Sequence, residues 1–260
     1  MKTALCTIAF RELPFEDVLD LAVKAGFDGV EPWGKPDHLP AVYDPDITRR
    51  ASEAVRARGI KVSQYGSYAN PTEETFAQDM EDALKIARDF ETDKIRVWAG
   101  RSGSADAYEA QWETAISGFR TFSDRAADLG MTLAVEMHNG RLSDTSEGCF
   151  RLLEGVDRPN FRLNFQPMFT HAPEKTLEEA RKVAPYVVTV HAQNYVEVGS
   201  NRRALIAEGL VDFATVVADL RKAGFDGYLE VEFVREEEVE ASLMADAQFL
   251  RSLCEAHRAL

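Results

Sequence analysis

The chain has only three cysteines in 260 residues, Cys6, Cys149 and Cys254, far apart and without a CxxC pair. That scarcity excludes a disulfide framework and a cysteine-rich zinc site, and fits reduced thiols in a cytosol. No run of about 18 apolar residues occurs, so no membrane-spanning helix is expected. The opening residues, MKTALCTIAFRELPFEDV, hold too short an apolar core for a signal peptide. Basic residues are few, with 30 Lys and Arg against 44 Asp and Glu, a formal net charge of −14. This balance argues against nucleic acid or an anionic membrane as the main partner, while leaving room for a local pocket that takes a small anion. No GxGxxG follows the first apolar run, which disfavours a doubly wound dinucleotide fold. No linker, low-complexity stretch or shift in composition divides the chain.

What is present is an ordinary globular balance, 45% hydrophobic and 28% charged, repeating one pattern from end to end. A short β-rich run, a polar loop and an amphipathic stretch follow one another. Strands are predicted at 3–8, 29–31, 61–64, 94–98, 132–136, 161–165, 187–191 and 228–232. Helices are predicted at 14–24, 72–88, 108–129 and 213–222, the second opening at Thr72 to Thr75. Two segments nearly duplicate each other: Lys24-Ala25-Gly26-Phe27-Asp28-Gly29 and Lys222-Ala223-Gly224-Phe225-Asp226-Gly227. In each, the first glycine suits a left-handed helix end and the Phe-Asp-Gly turn feeds a strand. Strand–helix alternation with short returns calls for parallel strands and right-handed crossovers. Eight such units fill residues 1–260 as a single (β/α)8 TIM barrel, an α/β fold.

In such a barrel, function sits at the C-terminal strand ends. Those ends read Cys6, Glu31, Gln64 with Tyr65, Trp98, Glu136 with His138 and Asn139, Gln166, His191 with Gln193, and Glu232. A carboxylate closing an apolar strand such as Leu133-Ala134-Val135-Glu136 costs desolvation unless it is paired, protonated or bound to a cation. Two glutamates, an imidazole and an amide carbonyl together would suit Mn²⁺ or Mg²⁺ better than structural Zn²⁺. Singly, each has a plainer reading: a solvated strand end for Glu136 or Glu232, a satisfied core histidine for His191. Their joint occurrence on the last four strands favours a site. Trp33 and Trp98 fit either packing or a sugar-stacking wall, and Glu236 to Glu238 fit a helix N-terminus.

These residues and their order resemble the xylose isomerase-like TIM-barrel superfamily, in its sugar phosphate isomerase/epimerase group. The resemblance rests on Ala25-Gly26-Phe27-Asp28-Gly29-Val30-Glu31, Arg96-Val97-Trp98-Ala99-Gly100, Ala134-Val135-Glu136-Met137-His138-Asn139-Gly140, Val190-His191, Arg203 to Gly209, and Gly227 to Glu232. It implies a divalent metal held by Glu136, Gln166, His191 and Glu232, with Mn²⁺ first and Mg²⁺, Co²⁺ or Zn²⁺ as alternatives. Gln166 stands where the family pattern Asn-x-Asp-Pro has its Asp. That exchange removes one negative charge and implies weaker metal binding. The resemblance also implies Glu136 and Glu232 as the catalytic acid–base pair. Glu31, His138, Arg203 and Glu208 become substrate-binding groups, with Arg203 the anion contact.

The activity so implied is a divalent-metal-dependent isomerase or epimerase moving a proton through an enediolate of a small sugar or polyol ketone. A lyase or dehydratase using the same enolate is the second reading, and a non-catalytic sugar-binding barrel with a degenerate metal site is the third. The nuclease branch of the superfamily fits poorly, since it needs more histidines than the five present. A carbohydrate-like small molecule is the expected partner, without nucleic acid or membrane. Homo-oligomerisation and a cytoplasmic location complete the expectations.

Overall fold

A computed structural model describes residues 1–40 and 42–255, so Ala41 and positions 256–260 of the expected 1–260 unit lie outside the described residues. The strands are β1 (Lys2–Cys6), β2 (Gly29–Glu31), β3 (Lys61–Val62), β4 (Tyr65–Gly66), β5 (Lys94–Val97), β6 (Thr132–Glu136), β7 (Phe161–Phe165), β8 (Val187–Ala192), β9 (Asn194–Tyr195), β10 (Arg203–Ala204) and β11 (Tyr228–Val231). The helices are α1 (Phe15–Ala25), α2 (Pro45–Ala57), α3 (Phe76–Asp89), α4 (Glu109–Ala127), α5 (Ser146–Val156), α6 (Pro173–Val183), α7 (Phe213–Lys222) and α8 (Val239–Glu255).

Nine strands form one parallel sheet in the order β3-β2-β1-β11-β8-β7-β6-β5-β4, and β9 pairs antiparallel with β10 in a hairpin above it. The third strand, expected over 61–64, stops at Val62 and pairs with β2; after Ser63-Gln64 a further short strand, β4, pairs with β5. Counted as one position, β3 and β4 complete the ring of a TIM barrel. Eight helices surround it among the described residues. None is long and apolar enough to cross a membrane.

Alternation along each strand divides the side chains between two environments. Leu5, Val30, Ile95, Val97, Leu133, Val135, Val190, Leu229 and Val231 are fully buried and belong to the apolar core with the helices. Their neighbours Cys6, Glu31, Arg96, Glu136, His191 and Glu230 are buried too, yet meet one another through polar contacts inside the barrel.

The duplicated turn serves two purposes. Gly26 and Gly224 adopt φ of +76° and +95°, the left-handed region that favours glycine. At Gly227, a Cβ would run into the Val188 carbonyl, so close approach of neighbouring strands requires glycine there. Some predicted boundaries move. The first strand stops at Cys6 because a 3₁₀ turn, Thr7–Phe10, takes over. The helix expected from Thr72 starts at Phe76, since Asn70 Oδ1 accepts from both the amide and the hydroxyl of Thr72. Glu236 to Glu238 lead into the N-terminus of α8, where the Glu238 carbonyl accepts from the Ser242 amide at 2.8 Å.

Candidate metal centre and active site

The interior charge cluster begins at Arg96. Its Nε donates to Glu31 Oε1 at 2.7 Å and one terminal nitrogen donates to Glu136 Oε2 at 2.5 Å. Glu31 is completely buried, and its second oxygen takes Gln64 Nε2 at 3.0 Å and His191 Nε2 at 2.6 Å. Gln64 also donates to Glu230 Oε2 at 2.8 Å, while its own carbonyl accepts from Thr189 at 3.1 Å. Glu230 lies 3.6 Å from His191 Nε2, and Glu232, two residues on and so on the same face, lies 3.4 Å from Nδ1.

His191 is the hub. Glu31 holds its Nε2, leaving Nδ1 buried without a hydrogen-bond partner, 3.9 Å from Glu136 Oε1. Ligand atoms of Glu136, His191 and Glu232 all lie within 4.8 Å of one another. A carboxylate on the far nitrogen of a histidine is the usual support for a metal-ligating imidazole, because it fixes the ring and raises its basicity. The near nitrogen is then free for the ion. The residues present therefore fit a divalent cation: two carboxylates and an oriented imidazole, with Glu232 Oε2 also buried and unpartnered. Cys6, Glu31 and His191 form a second close group, but Arg96 and Gln64 already satisfy its carboxylate.

Charges in this enclosed space shift each other strongly. Burial opposes the charged form of His191, but Glu31 and then Glu232 outweigh it and push its pKa well above the ordinary value. Burial pushes Glu31 up, and His191 and Arg96 reverse this, holding it well below the carboxylate range. Glu232 follows the same logic and is held down chiefly by His191. Glu230 goes the other way, raised well above its ordinary range by burial and by the Glu31 charge. A cation held by Glu136, His191 and Glu232 would have to compete with a proton on His191.

Gln166 stands beside the cluster in a defined orientation. Its amide nitrogen donates to Glu136 Oε1 at 3.0 Å and to the Met137 carbonyl at 2.7 Å, and its carbonyl accepts from Gln193 Nε2 at 2.6 Å. His138 lies at the mouth with Nδ1 against the Asn139 carbonyl at 2.8 Å, so Nδ1 carries the proton and Nε2 faces outward. Its ring packs on Trp98 with centroids 4.9 Å apart; Trp98 stacks on Tyr68 at 5.6 Å, and Tyr68 accepts from Trp33 Nε1. These rings form a continuous aromatic wall.

Across the mouth, Arg203 is sandwiched between the Tyr195 and Phe233 rings at 4.6 and 4.7 Å. It lines a cavity of about 350 Å³ with Glu208 and Arg235. The Nε groups of Arg203 and Arg235 are both buried without partners. The structure thus brings Glu136, His191 and Glu232 together, sets Gln166 against Glu136, and places Arg203 with Glu208 to one side. Glu31 lies beneath the cluster, enclosed by polar partners.

Sequence reasoning did not assign Arg96, Glu230 or Arg235. Two of these had a signal. Arg96 in Ile95-Arg96-Val97 and Glu230 in Leu229-Glu230-Val231 are charges inside apolar strands, which an interior-facing alternation would explain. Arg235 lies in a loop and carries no such mark.

A family profile described as xylose isomerase-like TIM barrel matches residues 19–253. The chain belongs to this family. Among curated relatives, 3-dehydroshikimate dehydratase of Bacillus anthracis is 26% identical over 258 residues, covering 88% of this chain and 90% of that protein. Inosose dehydratase of Geobacillus thermodenitrificans (strain NG80-2) is 26% identical over 280 residues, covering 94% and 91%. Ketose 3-epimerase of Arthrobacter globiformis is 30% identical over 108 residues, covering 40% and 36%. The crystal structure of a probable 3-DHS dehydratase of petrobactin synthesis from Bacillus anthracis superposes with a TM-score of 0.79. It is 23% identical, covering 96% of this chain and 99% of that one. The curated relatives thus include two dehydratases and, over a local stretch, an epimerase.

Proposed function

We propose that the barrel is a divalent-metal-dependent enzyme that abstracts the proton beside the carbonyl of a small polyhydroxylated ketone and then expels a β-hydroxyl as water. Glu136, His191 and Glu232 would hold the ion, Mn²⁺ or Mg²⁺ suiting an oxygen-rich set with one imidazole. When bound, the ion would polarise the substrate carbonyl and acidify the neighbouring C–H.

One observation favours elimination over epimerisation: the two glutamates are not equivalent. Both oxygens of Glu136 already accept hydrogen bonds, from Arg96 and Gln166. Glu232 keeps Oε2 buried and unpartnered. Epimerisation wants two free carboxylates on opposite faces of the enediolate, whereas elimination wants one base and a separate acid. Glu232 is the base and receives the carbon-bound proton. The electron pair left behind forms the C=C bond as the β C–O bond breaks. His138 keeps its proton on Nδ1, and its open Nε2 takes a proton from solvent and passes it to the departing hydroxyl, which leaves as water. Trp98 and Tyr68 cover one side of the substrate, and Arg203 takes an anionic or hydroxylated end.

The two dehydratase relatives, each aligned over most of both chains, support this reading. The local match to a ketose 3-epimerase favours the isomerase or epimerase alternative. Mass spectrometry in D₂O separates them, with 3-dehydroshikimate, an inosose and a ketohexose as probes and Mn²⁺ added. Loss of one water from the product is expected, abolished in Glu232→Gln. Deuterium gain without water loss would select epimerisation instead. Neither, with all three probes, would sink the proposal.

A further inference from the structure

The polarity of the Gln166–Gln193 pair is set by its far end. Glu136 Oε1 and the Met137 carbonyl can only accept, so Gln166 must turn its NH₂ toward them. Its carbonyl must then face Gln193, which must answer with its own NH₂, at 2.6 Å. That leaves Gln193 Oε1 pointing onward, and it is buried without any hydrogen-bond partner. Gln193 is only 3% exposed, so bulk water does not satisfy it. Flipping either amide would set oxygen against oxygen or nitrogen against nitrogen, so the direction is determined along the whole chain.

We propose that Gln166 and Gln193 form an amide relay that presents one fixed hydrogen-bond acceptor to the substrate, and that Gln193 is a specificity-determining residue selecting a ligand hydroxyl. Only a donor completes the chain. A hydroxyl at that position of the ligand satisfies Oε1, whereas a hydrogen, an ether oxygen or a carboxylate there leaves it unsatisfied or repels it. A buried acceptor left unmade costs enough to discriminate. In this arrangement Gln166 contributes orientation: it steadies Glu136 and turns Gln193, with its carbonyl committed to the second amide.

The inference rests on the proposed reaction on a polyhydroxylated ketone. Its test takes whichever of the three probes above turns over, together with the mono-deoxy analogues of that compound. Calorimetric binding and exchange kinetics are measured for the wild-type chain and for Gln193→Met. In the wild type, removal of one particular hydroxyl should weaken binding roughly 10- to 100-fold, and in Gln193→Met that penalty should fall to less than about two-fold. Gln166→Met supplies a second variant: it should relax the same penalty while elemental analysis still finds the wild-type metal content. The relay is overturned if the wild type shows no such penalty, if both variants keep it, or if Gln166→Met strips the metal. Absence of turnover with every probe in the wild type overturns the reaction itself, and the relay with it.

Discussion

Glu31, whose oxygens meet Arg96, Gln64 and His191, decides which nitrogen of His191 faces the other two carboxylates. Replacing it by Gln keeps the volume but weakens the support on Nε2. Loss of such a partner typically lowers metal affinity by about 10–100-fold. Competition of Glu31→Gln against a chromophoric chelator should show a fall of that size; unchanged affinity would remove Glu31 from the metal site. Behind the Arg203 cavity, within the influence of Glu208 and Arg235, Asp246 on α8 accepts from the Ile206 amide at 2.8 Å, and its other oxygen is buried and unpartnered. Burial pushes its pKa up to about 7. Between its ordinary value and about pH 7 the folded chain keeps a proton that the unfolded chain releases. The contribution of this group to stability is therefore full below that window and declines as pH rises through it. Its size is on the order of 4 kcal/mol, from about 1.4 kcal/mol per pKa unit. Asp246→Asn should flatten that part of the stability profile and make the chain more stable than wild type above pH 7. Parallel profiles in a denaturation series would refute the assignment.

At the scale of elements, the duplicated Gly-Phe-Asp-Gly turn separates two reasons for glycine. A side chain at Gly224 meets open space but strains a backbone at φ +95°, while one at Gly227 collides with the Val188 carbonyl. Gly224→Ala should cost about 1–2 kcal/mol. Gly227→Ala should cost more, reaching or passing the ~3 kcal/mol of ordinary overpacking, because the obstacle is backbone. Urea midpoints of the two variants decide; a reversed order would contradict the packing described. The turn was legible because its residues act within a few positions of themselves. The start of α3 was not, since Asn70 draws Thr72 into a turn through side-chain bonds that no periodicity records. The same division holds at the site. Glu136, His191 and Glu232 stood out as polar ends of apolar strands, whereas the Arg96 clamp and the direction of Gln166 depend on contacts across the barrel.

In the whole molecule all three cysteines are buried, Cys6 at the end of β1 and Cys149 and Cys254 on the core-facing sides of α5 and α8. Burial, aided by nearby carboxylates, pushes the Cys6 and Cys149 thiols well above their ordinary range. A thiol reagent should therefore label the folded chain very slowly, at a rate that follows global unfolding, and label it fully in denaturant. Fast labelling of either residue would mean that the barrel opens locally. Closure of the barrel concentrates charge: Glu31, Glu136, Glu230 and Glu232 share the interior with Arg96 and His191. On the surface many charges cancel in exposed pairs such as Arg158 with Asp124. A divalent cation would match this interior acidic cluster, as proposed above. Elemental analysis of the chain after expression in metal-replete medium and dialysis against metal-free buffer tests this most directly. One divalent ion per chain, lost in His191→Ala, is the expected result, and a metal-free wild type that takes up none on addition of Mn²⁺ or Mg²⁺ would contradict the account.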